Sequence, residues 1–374
     1  MADKAFQTML AIGLTIGLTL TACSSSQSAQ KSAAGQSGAW WHITGSCDAS
    51  ALAPVPGTND FIFAVDEDDT LRRWISPGAY PPPGGEAAGK VDEWMEVSSA
   101  VENAGGIDGT RAIDKDKKGN PREMDLEGAA QIGEQIFWIG SHGLNKDGKY
   151  RPNRMVFFAT NVPTPTNSGE LSGKARDLLP ALQAADGISD VLAPPVFTDL
   201  APGEASGTAP KSGGLNIEGL ATDGTSLLIG LRSPVTDSKA WILRLANPAE
   251  IVANIDAAPQ ISVDAQIDLG DGRGVRSMTE LDNDWLIVGG PVDNPPPDFA
   301  LLQWDGTQVP ASVDYAFTGG TRPEGITTQG KNVLMVSDDG SVIRDGTECK
   351  KEENPNNQYF RATSVPAAQL SSSG

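Results

Sequence analysis

One short pattern, recurring along the chain, constrains this sequence more than any other feature. Asp125-Leu126-Glu127-Gly128-Ala129-Ala130 runs on to the apolar stretch Ile136-Phe137-Trp138-Ile139-Gly140. Asn216-Ile217-Glu218-Gly219-Leu220-Ala221 leads across Asp223-Gly224 to Leu227-Leu228-Ile229-Gly230. Arg322-Pro323-Glu324-Gly325-Ile326-Thr327 leads across Gln329-Gly330 to Val333-Leu334-Met335-Val336. Gly274-Val275-Arg276-Ser277-Met278-Thr279, before Trp285-Leu286-Ile287-Val288-Gly289, fits the same frame with arginine in place of glutamate, and Ser50-Ala51-Leu52-Ala53 with Phe61-Ile62-Phe63-Ala64-Val65 is a weaker copy. Self-similar units of this kind cannot bury their apolar faces alone and do so by stacking on one another.

Each unit is expected to be a short strand ending at the Glu-Gly pair, a Gly-containing turn, and a buried second strand whose hydrophobicity is continuous rather than alternating. Outer strands follow, as in Ala240-Trp241-Ile242-Leu243-Arg244-Leu245 and Phe299-Ala300-Leu301-Leu302-Gln303-Trp304. The fold class is therefore all-β. A four-stranded unit of roughly 40 to 50 residues is the blade of a β-propeller, and the spacing predicts six blades, with seven as the other count that fits. One blade is expected, without a recognisable copy, between residues 159 and 210. Insertions are expected at 78–89, 114–123 and 160–213, the last containing a short surface helix over 171–185. The 42 glycines and 26 prolines suit a turn-rich β chain, and an α/β fold would need helices between strands that the sequence lacks.

The first residues point to export. Lys4 precedes the apolar run 9–20, which has the length of a signal-peptide core and is too short to span a bilayer. Leu20-Thr21-Ala22-Cys23 resembles a bacterial lipobox, so residues 1–22 are expected to be a signal peptide and Cys23 the site of lipidation. The Ser/Ala/Gln-rich stretch 23–38 would be a flexible tether, residues 39–362 a single propeller domain and 363–374 a disordered tail. Ser24 after the cysteine resembles the pattern that sends lipoproteins to the outer membrane. The expected location is thus the cell envelope, with the membrane reached through lipid on Cys23.

With Cys23 acylated, Cys47 and Cys349 remain at opposite ends of the folded region. An oxidising compartment favours a disulfide between them. Across a ring whose ends meet, it would contribute up to roughly 5 kcal/mol on the chain-entropy account. The alternative is two free thiols.

The net charge of -20 excludes nucleic acid as a partner and disfavours anionic lipid headgroups. In a propeller, residues at equivalent places in the inner strands meet around one axis, usually where ligands bind. That would gather Glu127, Glu218, Glu324 and Arg276, with Asp125, Asn216 and Arg273 close by. Two readings of the glutamates stand side by side. They could hold a hard cation such as Ca²⁺, which takes carboxylate and amide oxygens, or each could bond to its neighbour blade with glycine permitting the approach.

Arginines recur in the same units: Arg154, Arg232, Arg273, Arg276 and Arg322. Their planar forks match phosphate and carboxylate oxygens; equally, they could neutralise the glutamates. His142, beside Ser141 in a Gly-flanked turn, is a candidate acid or base, although an isolated histidine is commonly an ordinary hydrogen-bonded residue. No G-x-S-x-G, H-E-x-x-H, P-loop or Rossmann fingerprint occurs.

The stretches "DLEG", "GSHG", "RPNR", "NIEGL", "GLRSP" and "GRGVRS", here residues 125–128, 140–143, 151–154, 216–220, 230–234 and 272–277, resemble a bacterial family catalogued as domain of unknown function 3616. The repeated Glu-Gly units look more distantly like the phytase-like esterase propellers. Neither resemblance implies an established substrate. The expected role is an envelope propeller that binds an anionic small molecule at its channel mouth. A cation on Glu127, Glu218 and Glu324 could then activate water against a phosphoester or ester, with Glu218 and His142 catalytic. The rival expectation is a non-catalytic propeller binding a glycan, peptide or protein.

Overall fold

A computed structural model describes residues 38–66, 68–78, 89–192, 207–293, 298–317 and 319–370, all within the unit Gly35–Gly374. Cys23, the apolar run before it and nearly all of the tether lie outside the described residues.

Each copy of the repeat opens an antiparallel sheet. In the third sheet, Asn216–Thr222 turns at Asp223-Gly224 into Leu227–Ser233, followed by Ala240–Leu245 and Ile261–Ile267. The first three of these strands bury nearly every side chain and the last alternates partly buried with exposed ones, which is why the central strands read as continuous apolar runs and the outermost does not. The first sheet comprises Ala51–Pro54, Phe61–Ala64, Thr70–Ile75 and Lys90–Glu96. The fourth comprises Gly274–Leu281, Asp284–Gly290, Ala300–Trp304 and Ala311–Ser312. The second has three strands, Leu126–Ile132, Gln135–Gly140 and Phe157–Asn161.

The fifth sheet is assembled from both ends of the chain. Pro323–Gln329, Asn332–Ser337 and Tyr359–Pro366 are completed by the N-terminal strand Trp41–Thr44 on the outside. The five first strands neighbour one another in cyclic order, the fifth returning to the first. The molecule is a five-bladed β-propeller.

Five blades replace the six expected, and the reason lies in the insertion after the second blade. Among its described residues there is no strand; it holds the helix Leu179–Ala184, the short 3-10 helix Pro210–Ser212 and isolated bridges of Leu171 to Thr160 and Arg176 to Phe157. These bridges run along the open edge of the three-stranded second blade. The insertion's Leu178, Leu179, Leu182, Ile188 and Leu192 are buried in the core shared by blades two and three. The apolar content that suggested another blade is thus spent covering an edge. The helix is shorter than the expected 171–185; its Leu179 and Leu182 face that core, while Pro180 and Ala184 are exposed on the surface.

Two further expectations change. The Glu-Gly pair stands at the beginning of the inner strand, not at its end. The expected tail 363–374 is structured over its described part, since the last strand runs to Pro366 and Leu370 is buried.

The disulfide is present. Cys47, just past the closing N-terminal strand, is bonded to Cys349 in an insertion of the same blade, with Cα atoms 5.6 Å apart and a sequence separation of 302. Nearby, buried Asp339 holds Arg344 at 3.1 Å and Arg361 at 2.7 Å. Among the described residues no helix is long and apolar enough to cross a membrane.

Candidate functional site

The repeated polar residues owe their position to a local irregularity. In the second blade the pairing register shifts between Leu126 and Gly128, in the fourth between Val275 and Ser277, in the fifth between Pro323 and Gly325. In the third it shifts opposite Ile217 and Gly219. The residue skipped in each is Glu127, Arg276, Glu324 and Glu218. A bulge leaves one residue out of the ladder and re-aims its side chain, so the same irregularity turns four side chains toward the axis.

Glycine after the glutamate serves blade packing. A Cβ on Gly128 would fall 2.7 Å from Leu220 of the third blade, and one on Gly219 would fall 2.6 Å from Val275 of the fourth. The first blade has no such acid; its Ser50 hydroxyl donates instead to the carbonyls of Leu126 and Ala64.

These residues line a cavity of about 590 Å³ at one end of the axis. Asp125, Glu127, Arg154, Asn216, Glu218, Arg232, Arg276, Arg322 and Glu324 all reach it, as the sequence led one to expect. Arg273 does not: it bonds to the carbonyls of Asp298 and Leu269, and lies 3.1 Å from Asp271. His142 does not reach it either. Its ring is fully buried, Nδ1 donates to the Gly140 carbonyl at 2.8 Å, and Nε2 accepts the Leu178 N–H at 3.3 Å. Burial holds its pKa below the usual value, with Asp177 opposing. The imidazole is a neutral bridge between blade and insertion, so the expected acid–base role is corrected.

Glu218 is likewise committed. It is 2 % exposed, accepts from Asn216 Nδ2 at 2.6 Å and from Arg232 at 2.8 Å, and its Oε2 lies 2.9 Å from Arg276 Nε, close but not aligned for a hydrogen bond. Arg276 is also ion-paired to Glu324. A guanidinium therefore stands where a cation between these glutamates was expected, and among the described residues no group of three or more His, Cys, Asp or Glu is gathered to hold a metal ion. The neutralisation reading of this arginine is the one the geometry carries. Burial, with Arg232 nearby, pulls Arg276 down to about 10.

The cavity has two poles. On one side Asp66, Asp125 and Glu218 stand close enough to Glu127 to act on its carboxyl. Burial raises the pKa of Asp125, opposed by the Arg154 guanidinium paired with it at 2.7 Å. Glu127 is different: it is 7 % exposed and has no hydrogen-bond or ion-pair partner among the described residues. Burial, then Glu218, Asp125 and Asp66, push its carboxyl well above the usual range, with Arg276 opposing.

On the other side stand Arg232, Arg276, Arg322 and Lys211. Burial, then Arg232 and Arg276 and more weakly Arg322, lower the Lys211 pKa, with Asp338 opposing, a sign of their proximity. Lys211 and the Arg322 guanidinium have no ion-pair partner among the described residues; Arg322 donates to the Ser341 hydroxyl. Phe299 joins this side, its ring 5.9 Å from the Arg276 guanidinium.

Lys211, Asp66 and Phe299 were not among the sequence-derived candidates, because they come from loops and a third strand's edge rather than from the repeat. The one local signal was Pro210-Lys211-Ser212-Gly213-Gly214 directly ahead of a repeat copy.

Residues 188–316 match the model of a family described as "Protein of unknown function (DUF3616)". The resemblance read from the motifs stands there, over the strands of the third and fourth blades. None of the curated proteins compared matches the chain. Among solved structures, a thermostable family-43 glycoside hydrolase is similar at 9% identity and TM-score 0.40, over 87% of this chain and 90% of that one. A luciferin-regenerating enzyme is similar at 7% identity and TM-score 0.38, over 88% and 94%. The Aleuria aurantia lectin is similar at 10% identity and TM-score 0.34, over 90% and 81%. Likeness at this level concerns architecture and carries nothing about chemistry.

Proposed function

We propose that this protein binds a small anionic molecule at the axial mouth of its propeller, held by Lys211 and Arg322 with Arg276 behind them. The supporting observation is that these cations converge on one cavity while two of them lack a carboxylate partner among the described residues. In a chain of net charge -20, a local positive pole focuses anions that the rest of the surface repels. Arg322, fixed through Ser341, presents its fork for two oxygens of a carboxylate or phosphate. Arg232 and Arg154 are occupied by Glu218 and Asp125, and serve to position the site rather than to hold a ligand.

On the lipobox reading of Leu20-Thr21-Ala22-Cys23, the molecule would meet this ligand in the cell envelope, tethered by lipid on Cys23 and directed to the outer membrane.

Calorimetry with acetate, phosphate and longer alkanoates tests the reading. Saturable binding that weakens at least tenfold in Arg322→Ala and Lys211→Ala is expected, since a charge-assisted contact is worth about 1.5 to 3 kcal/mol. Binding unaffected by both substitutions would overturn it. Phosphoester and carboxyester turnover, with and without chelator, would show whether the site goes beyond binding.

A further inference from the structure

The anion site uses only one pole of the cavity. The other contains a carboxyl group that a folded protein would ordinarily not leave alone: Glu127, nine-tenths buried, lining the cavity, and without a partner among the described residues. Its own blade presents Asp125 and Arg154 to it, the first blade Asp66, the third Glu218 and Arg232, and the fourth Arg276. Of the cations in that set, Arg154 is spoken for by Asp125 and Glu123, Arg232 by Glu218, and Arg276 by Glu218 and Glu324. Among the described residues, none supplies the positive charge that Glu127 lacks.

We infer that the ligand supplies it: the cavity takes a small zwitterion, with its ammonium group on Glu127 and Asp66 and its carboxylate on Arg322 and Lys211. This rests on the anion reading above and extends it to the second pole. Buried charges persist where they are paired, and an unpaired acid facing an open cavity is complementary to a donor cation. Without ligand, burial and then the like charges around it push the Glu127 carboxyl toward its protonated form. An arriving ammonium ion stabilises the carboxylate form, so the Glu127 proton passes to solvent as the ion pair forms, and charge is conserved.

The proton makes the inference measurable. Binding should release protons, and affinity should rise with pH until Glu127 is ionised in the free protein. A ligand that merely accepted a hydrogen bond from protonated Glu127 would show the reverse, weakening as pH rises.

The straight-chain amino acids from glycine to aminooctanoate, each compared by calorimetry with the alkanoate of equal length, serve as a ruler across the cavity. One length is expected to bind at least tenfold tighter than its alkanoate, with an enthalpy that varies with buffer ionisation so as to report proton release. Glu127→Gln, which keeps the shape of the protonated acid, should abolish the preference and the release while leaving alkanoate binding in place. Alkanoates that bind as tightly as the amino acids would overturn the zwitterion assignment and leave the anion site standing. An amine preference that survives in Glu127→Gln, or proton uptake in place of release, would overturn the role of Glu127. If neither series bound, the anion reading would fall and this inference with it.

Discussion

The two ends of the inner strands share a backbone and little else. At the beginning of the strands, four bulges turn Glu127, Glu218, Arg276 and Glu324 into a charged cavity. At the far end the ladders are regular, with Thr222 opposite Leu227, Thr279 opposite Leu286 and Thr327 opposite Leu334. The cavity there, about 280 Å³, is lined by these threonines with Ala53, Ala129 and Gln131 among its other residues. The lesson is that in a ring of near-identical units chemistry follows the irregularity: where the strand pairs regularly its side chains pack, and where it skips a residue they converge.

The largest expected test of that contrast is Arg276→Leu. It leaves Glu218 and Glu324 buried without their shared cation, which should cost about 3 to 5 kcal/mol. Thermal unfolding should shift down by several degrees. Thr279→Ala, on the same strand at the far end, should cost about 1 kcal/mol or less. Equal losses would break the comparison.

His142 gives the next effect. Its pKa is lower folded than the ordinary 6.5, so the folded state binds fewer protons there. Stability is therefore complete above that value and falls as pH drops below it. Denaturant titrations between pH 7 and pH 5 should show this decline in the parent and a smaller one in His142→Gln. Anion binding should survive the substitution, because the ring lies outside the cavity.

Glu127 carries the opposite sign. Its pKa is raised on folding, so the folded state binds more protons, and stability falls as pH climbs from about 4.5 toward the raised value. Glu127→Gln removes this slope. The variant should match the parent in mildly acid solution and exceed it at pH 8, every tenfold weakening of an acid on folding being worth about 1.4 kcal/mol. A parent and variant that track each other across this range would mean that Glu127 is already neutralised in the free protein.

The smallest stability effect belongs to Arg322→Ala. The side chain is exposed and touches the Ser341 hydroxyl, so unfolding should change by under about 0.5 kcal/mol. Anion affinity, read by calorimetry, should fall tenfold or more. This separates the ring that holds the mouth together from the rim that meets the ligand.

Much of this was legible in the sequence, for a definite reason. The Glu-Gly copies and the apolar runs after them are local patterns, and a strand's neighbours within a blade are close in sequence. The all-β class and the axial gathering of Glu127, Glu218, Arg276 and Glu324 follow from them; the pairing of Cys47 with Cys349 followed instead from two cysteines remaining at opposite ends of a ring. The blade count did not, because the leucines of the insertion after the second blade read the same whether they form a strand or cover an edge. The fate of each charge did not either. Arg276 meets Glu324 across 48 residues and Arg232 meets the carbonyl of Pro291 across 59. Such partnerships depend on the angle between blades, which no local pattern encodes. His142 looked free in its turn and is sealed by an insertion, whereas Glu127 looked like its two sister glutamates and alone of the three lacks a partner among the described residues. Composition and repeat determined which groups would meet at the axis; only the closed ring decided which of them would cancel and which would be left for a ligand.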